Sequence, residues 1–361
     1  MRTRIHLSIL ILFLIITFSC YSSGKTINED SNSIELIIKL EDVSIGGTLL
    51  IPTNLSTKSL VIMSSGSGPQ DRDETLEGFK IFKVIAEHLA SKGIASFRYD
   101  DRGVGTSTGD FVNSTIEDHT KDLVGIIEYF KSSEANHFES FILFGHSQGG
   151  ILAGKVAVSN ESVKKVILMA APSVPLVEVV TYQIRQEYSG LEISKTLIEA
   201  DVSAHNKLMR AIEDDENIDQ AYHLFRKTTK SILYKTNSER VVDSLKIEQK
   251  ATDKANEFKI IYGLPSLTSF LYYDPSKDLE QLNVPVLSLF GGLDFQVPIH
   301  QNKDRMENAL LKSGSNYEFK TFDNANHFFQ KAKTGQREEY ANLDKTFVEG
   351  FLEVISDWIL N

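Results

Sequence analysis

A serine hydroxyl becomes a useful nucleophile only when a base takes its proton and a third group orients that base. Ser147 is placed for such a role. It sits in residues 141–150, FILFGHSQGG, where an apolar run enters Gly145-His146-Ser147-Gln148-Gly149 and a helix-forming stretch, ILAGKVAV, follows. Strand, G-x-S-x-G turn and helix are what a nucleophile elbow requires: the turn holds the serine in a strained conformation with its hydroxyl above the sheet. Gly145 and Gly149 flank it because a Cβ at either would collide across so sharp a bend.

Base and acid candidates follow further along. An apolar stretch over 284–290 opens into GGLDFQVP, where Asp294 is the one acid in a glycine-rich loop. A second stretch over 317–322 opens into DNANHFF, with His327 just beyond it. Loops at the carboxyl ends of strands are where open α/β sheets build their sites, and serine, acid, histidine is one of the chain orders in which triads occur. Ser147 is therefore expected as nucleophile, His327 as general base and Asp294 as the acid that orients it, with Asp323 the rival acid. Alone, Asp294 would read as a loop or helix-capping aspartate and His327 as a structural histidine; their register after the elbow decides. His300 follows the acid loop too closely and is expected to begin a helix. The bend is expected to turn the side chain of His146 away.

A developing oxyanion needs two backbone N–H donors. One is expected from Gln148, the residue after the nucleophile. The other is expected from Ser67, in SSGSGP after an early strand, where Gly66 and Gly68 let the backbone turn and approach a substrate. The same loop is not a phosphate cradle, since it lacks the Lys-Ser/Thr ending of a P-loop and has Pro69 in place of a further N–H. The charged cluster Asp100-Asp101-Arg102 reads as a structural Arg–Asp pair bracing a loop rather than a substrate clamp, and Asp71-Arg72-Asp73-Glu74 reads the same way. For Phe270-Leu271-Tyr272-Tyr273 an acyl pocket and a simple core are equally open.

These residues need a sheet to hold them. Residues 34–40 and 43–51 alternate apolar and polar around a short turn, predicting an antiparallel hairpin with a bulge at Gly46-Gly47. Strand 60–63, helix 79–92, strand 94–99, helix 115–131, the elbow and strand 163–169 then alternate. From 176 to about 274 the chain is helical and charged, which predicts an inserted helical cap over 175–275. The alternation resumes with strand 284–290, helix 301–312, strand 317–322 and a final helix over 343–360. The expectation is an α/β fold: a mainly parallel eight-stranded sheet with helices on both faces, its core split into 34–174 and 276–361 by the cap.

The N-terminus reads differently. Arg2 and Arg4 precede an apolar run over 7–18 that ends at Ser19-Cys20, a pattern of a secretory signal over 1–20, too short for a comfortable membrane span. Cys20 is the sole cysteine of the chain, so no intrachain disulfide forms. Its position resembles a bacterial lipobox, with Thr17 where that motif usually has Leu, and lipidation of Cys20 is expected; an incidental cysteine beside an ordinary cleavage site is the alternative. Residues 21–33 are polar and read as a flexible tether. A formal net charge of −11, without any Lys/Arg cluster, argues against a nucleic-acid partner.

GSGPQDRDE, YDDRGVGTSTGDF, GHSQGG, GGLDFQVP and NHFFQ, in that order, resemble the α/β-hydrolase superfamily over about residues 34–361. The combination is similar to bacterial secreted hydrolases of the serine aminopeptidase-like group, whose characterised members are often acyl-ester hydrolases. The resemblance implies the same roles for Ser67, Ser147, Asp294 and His327. The family's oxyanion loop often begins His-Gly; here Ser65-Gly66 stands there, which keeps the backbone donor but changes what braces the loop. The expected function is a serine esterase acting on a small-molecule ester through an acyl-enzyme, without metal or organic cofactor. An aminopeptidase or amidase is the alternative, and a non-catalytic envelope lipoprotein that binds a ligand is a more distant one. The expected location is the periplasm or cell envelope, touching membrane only through a lipid on Cys20. Acyl and alcohol specificity and oligomeric state are not legible.

Overall fold

The computed structural model describes residues 31–133, 138–237 and 243–361. The signal, Cys20 and the tether up to residue 30 lie outside the described residues. Among the described residues no helix is long and apolar enough to cross a membrane. The chain divides into two compact units, one of them Pro175–Tyr273.

The larger unit is built on one eight-stranded sheet. Its strands are β1 (Ser31–Lys39), β2 (Ser44–Pro52), β3 (Ser59–Ser64), β6 (Ala95–Tyr99), β7 (Ser140–His146), β8 (Val163–Met169), β9 (Val286–Gly291) and β10 (Tyr317–Phe322), while β4 (Thr75–Leu76) and β5 (Phe79–Lys80) form a separate small ribbon. The spatial order is β1-β2-β6-β3-β7-β8-β9-β10. The six strands from β6 to β10 run parallel, and β2 pairs antiparallel with both β1 and β6. Central strands such as SLVIMS and VLSLFG are apolar on both sides because both faces are covered. Val61, Met63, Ile142, Phe144, Leu287 and Leu289 share a core with α1 (Ile81–Ser91) and α11 (Phe351–Leu360). The alternate positions face the other way. Phe97 packs edge-on against Phe130 of α2 (Ile116–Ser132), and Ser288 donates to the sulfur of Met306 on α10 (Ile299–Ser313). The helix after the elbow, α3 (Gln148–Ser159), packs against β7 and β8, and the short α9 (Ser276–Leu279) precedes β9. Helix α2 starts at a capping box, in which Thr115 and Asp118 satisfy each other's backbone N–H.

Three expectations need correction. The hairpin has no bulge at Gly46-Gly47: the register runs unbroken from Ser31 opposite Pro52 to Lys39 opposite Ser44. A Cβ at Gly46 would lie 1.9 Å from the Thr106 hydroxyl and one at Gly47 2.4 Å from the Phe97 ring, so these glycines answer to close packing. The first helix begins at Ile81, because Phe79 and Lys80 pair with Leu76 and Thr75 instead. The final helix begins at Phe351. Before it, Arg337–Asn342 is a short 3-10 turn, Phe347 bridges to Gln330, and Gly350 adopts φ 78°, which ends the irregular stretch. Phe347 packs its ring on Phe79 and Phe351.

The helical unit comprises α4 (Leu176–Glu187), α5 (Lys195–Glu213), α6 (Ile218–Thr236), α7 (Ser244–Tyr262) and α8 (Pro265–Leu271). Its core gathers Val180, Ile184, Leu208, Phe225, Phe258 and Phe270. Buried among these rings, His205 shares a hydrogen bond with Tyr262 at 2.5 Å, and Tyr188 donates to Asp201 at 2.5 Å. Phe270 and Leu271 are core, whereas Tyr272 lines a cavity of about 1150 Å³ and carries the guanidinium of Arg210 at 3.5 Å from its ring centre.

Candidate active site

All the loops singled out in the sequence leave the carboxyl ends of strands in the larger unit: 65–68 after β3, Ser147 after β7, Asp294 after β9 and His327 after β10. Ser147 has φ 50° and ψ −118°, a conformation that costs a non-glycine residue about 1–3 kcal/mol. What holds it there is packing around the turn. The Ser147 N–H donates to the Met169 carbonyl at 2.8 Å, and α3 begins at the next residue. A Cβ at Gly145 would lie 2.3 Å from the Gly149 carbonyl oxygen, and one at Gly149 2.2 Å from that of Ser64. Backbone meets backbone at both points, so neither neighbour can yield cheaply. Gly149→Ala is therefore expected to lower stability by about 1–3 kcal/mol, read as a shift of the urea midpoint at unchanged slope.

His327 and Asp294 come together. Asp294 Oδ2 accepts from His327 Nδ1 at 2.8 Å, while Oδ1 accepts the N–H groups of Gln296 at 2.8 Å and Val297 at 2.9 Å. Both carboxylate oxygens are thus committed, and the proton on Nδ1 leaves Nε2 as the basic nitrogen. Burial pulls the His327 pKa below its ordinary value, only partly opposed by Asp294, and His146 adds to the depression. The imidazole is accordingly neutral, and able to accept a proton, near neutral pH. The rival Asp323 is exposed at the start of the same loop. Asn326 fixes this loop from inside, accepting the N–H groups of Phe328 at 3.0 Å and Gln330 at 2.9 Å.

The early loop is braced by acids. Ser65 donates its hydroxyl to Asp101 at 3.1 Å, and Asp101 also accepts the Gln70 N–H at 2.9 Å. Ser65 and Asp101 thus brace the start of this loop. Burial pushes the Asp101 carboxyl well above the usual carboxylate range. The Gly66 N–H is taken by Glu74 at 2.7 Å, and among the described residues nothing accepts the N–H of Ser67. Gln148 occupies the first turn of α3, where backbone N–H groups have no partner within the helix.

The charged clusters are structural, with partners other than those their spacing suggested. Asp100 binds Arg72 through two nitrogens at 3.0 and 2.5 Å, Arg102 binds Asp122 at 2.6 and 2.8 Å, and Arg98 pairs with Asp73. Sequence reasoning missed Glu74. Its signal was the density of charge in DRDE directly after the 65–68 loop, since so many charges beside a buried turn must find partners. His146 does not turn away from the site as expected: its side chain is buried, 2.6 Å from Glu74, with its ring centre 4.7 Å from that of His327. His300 lies in the first turn of α10.

The family described as serine aminopeptidase, S33, matches over residues 76–330, well over half of the 361-residue chain and including Ser147, Asp294 and His327. The esterase EstD of Thermotoga maritima is 24% identical over 285 residues, which cover 78% of this chain and 57% of that protein. The chain thus spans less than two thirds of that relative's length. In three dimensions, an esterase of Pyrococcus furiosus superposes with a TM-score of 0.52 at 11% identity, covering 91% of this chain and 92% of the other. A proline iminopeptidase of Mycobacterium smegmatis superposes with a TM-score of 0.50 at 14% identity, covering 90% and 97%. At such identities the two likenesses speak for the fold alone. With the family matched over most of its length, the chain belongs to the serine aminopeptidase S33 group of the α/β-hydrolases.

Proposed function

We propose that this protein is a serine esterase that cleaves carboxylic esters through a covalent acyl-enzyme. The observation that carries the reading is the hydrogen-bonded His327–Asp294 pair at the same sheet edge as a serine held at φ 50°. The name esterase on the Thermotoga relative supports the choice of ester. Ser147 Oγ attacks the ester carbonyl while its proton passes to His327 Nε2. The carbonyl oxygen takes the negative charge, and the N–H groups of Ser67 and Gln148 hold it. Asp294 stabilises the imidazolium, which then protonates the leaving alcohol as the carbonyl reforms. Water, deprotonated by His327, attacks the acyl-enzyme, and the acid leaves with Ser147 restored.

A panel of acyl nitrophenyl esters beside aminoacyl anilides tests the reaction class. Esters are expected to turn over faster; faster anilides would move the protein to the peptidase reading that its family description carries. Because the base must be neutral, kcat/KM is expected to fall as the pH drops through the His327 pKa. Burial sets that pKa below the ordinary 6.5, so the acid limb is expected below that value; a limb centred above it would contradict the assignment. Export and lipidation at Cys20 belong to the same proposal, and a protein left unmarked by metabolic palmitate labelling in its host would overturn the lipid anchor.

A further inference from the structure

Two buried ionisable side chains beside the nucleophile have no part in the steps above. Glu74 and His146 are 2% and 1% exposed. Glu74 lies at φ 47°, in a turn closed by its own N–H donating to the Asp71 carbonyl at 2.9 Å. That turn is staked on three sides. Arg72 reaches Asp100, Arg98 reaches Asp73, and the Asp71 carboxylate accepts the N–H groups of Asp73 at 3.0 Å and Thr75 at 3.1 Å. The inward direction of the Glu74 side chain is therefore set by its turn.

One oxygen of Glu74 serves two loops. Oε1 accepts the Gly66 N–H at 2.7 Å and lies 2.6 Å from His146 Nδ1, while Oε2 is buried without a partner among the described residues. The opposite nitrogen of His146, Nε2, lies 3.1 Å from the carbonyl oxygen of His327. A carbonyl oxygen can only accept, so Nε2 carries a proton. An ionised Glu74 can only accept, from Gly66 and from Nδ1 alike, and the ring is then a donor at both ends. Burial alone would lower the His146 pKa, but Glu74 and the His327 carbonyl outweigh it and hold the ring above the ordinary histidine value. Gly66 sits where these groups meet: a Cβ there would lie 2.9 Å from Glu74 Oε1, 3.3 Å from His146 Nδ1 and 3.4 Å from the Ser147 Cβ.

We infer that Glu74 and His146, the latter protonated on both ring nitrogens, are positioning residues that tie the oxyanion loop to the loop of the general base. The chain of contacts runs Gly66 N–H, Glu74, His146, His327 carbonyl. It sets the backbone just before the Ser67 donor and just at the base with one buried ion pair. This inference rests on the triad and oxyanion roles proposed for Ser147, His327 and Ser67. It assigns no proton transfer to the pair itself, although the His146 ring lies 4.7 Å from that of His327.

The test uses the whole protein and two variants. Glu74→Ala removes the bridge. Glu74→Gln can still accept from Gly66, but offers His146 no negative charge to justify its second proton. We expect Glu74→Ala to lose about 10²-fold in kcat with KM little changed, the loss typical of a displaced oxyanion donor. Glu74→Gln is expected to fall between it and the wild type. Fluorophosphonate labelling of Ser147 should slow in the same order, with circular dichroism showing equal folding at the assay temperature. Nitrogen-15 histidine spectra of the wild type should show two protonated ring nitrogens on His146, assigned by their loss in His146→Gln. A folded Glu74→Ala that labels at the wild-type rate, or a His146 with a single ring proton, would overturn the inference. If the wild type is labelled no faster than Ser147→Ala, the hydrolase reading fails; the His146 spectrum then still decides whether the bridge exists, one ring proton refuting it and two supporting it.

Discussion

Ser147→Ala is expected to lower ester turnover by about 10⁴–10⁶-fold while leaving the fold unchanged. Both halves of that statement come from the elbow. Alanine keeps a Cβ at φ 50° and so carries the same backbone strain as serine. The Ser147 side chain makes no capping hydrogen bond to α3, so nothing structural is lost with the hydroxyl. Stability is accordingly expected to stay within about 0.5 kcal/mol of the wild type. Ser147→Gly extends the argument: glycine relieves the strained φ, and that variant is expected to be about 1 kcal/mol more stable and equally inactive. Nitrophenyl-ester turnover and urea titrations of the three proteins read both quantities. Retention of more than roughly a hundredth of wild-type turnover in Ser147→Ala, far above the residual expected of a lost nucleophile, would mean that another group attacks the ester.

Asp294→Asn is expected to lose about 10⁴-fold in kcat. The carboxamide oxygen can still accept from Gln296 and Val297, as Asp294 Oδ1 does, so the loop keeps its shape. The amide nitrogen then faces His327 Nδ1, where the carboxylate oxygen stood at 2.8 Å. Being a donor, it forces Nδ1 to accept, and the ring proton moves to Nε2. The base then presents a proton where it must present a lone pair. Folding is expected to survive while both ester turnover and fluorophosphonate labelling collapse. A folded Asp294→Asn that reacts at the wild-type rate would show that Asp294 does not orient the base.

The site was legible where chemistry is local. G-x-S-x-G between an apolar run and a helix former predicts an elbow, because the glycines and the strand–helix change are neighbours in the chain. The acid and histidine loops were legible for the same reason, each following an apolar strand by a few residues. Gly46-Gly47 misled because the cause of those glycines lies far along the chain, in Thr106 and Phe97. The final helix misled in the opposite way. Residues 343–350 hold few strong helix formers and end at Gly350 with φ 78°, so there the cause lay within the stretch itself. Arg72 and Arg102 were read correctly as structural, yet their partners Asp100 and Asp122 are 28 and 20 residues away, beyond any spacing rule.

Amino-acid order by itself determined the alternation of strands and helices, the elbow at Ser147, and which loops open at the carboxyl edge of the sheet. These follow from periodicity and from glycine, whose causes lie within a few residues. The tertiary structure decided which carboxylate faces which cation. It chose Asp294 over the exposed Asp323 for His327, and it put Glu74 in buried contact with His146 across 72 positions of the chain. A buried charge is stable only beside its partner, and that distance is set by packed strands and loops, not by spacing along the chain.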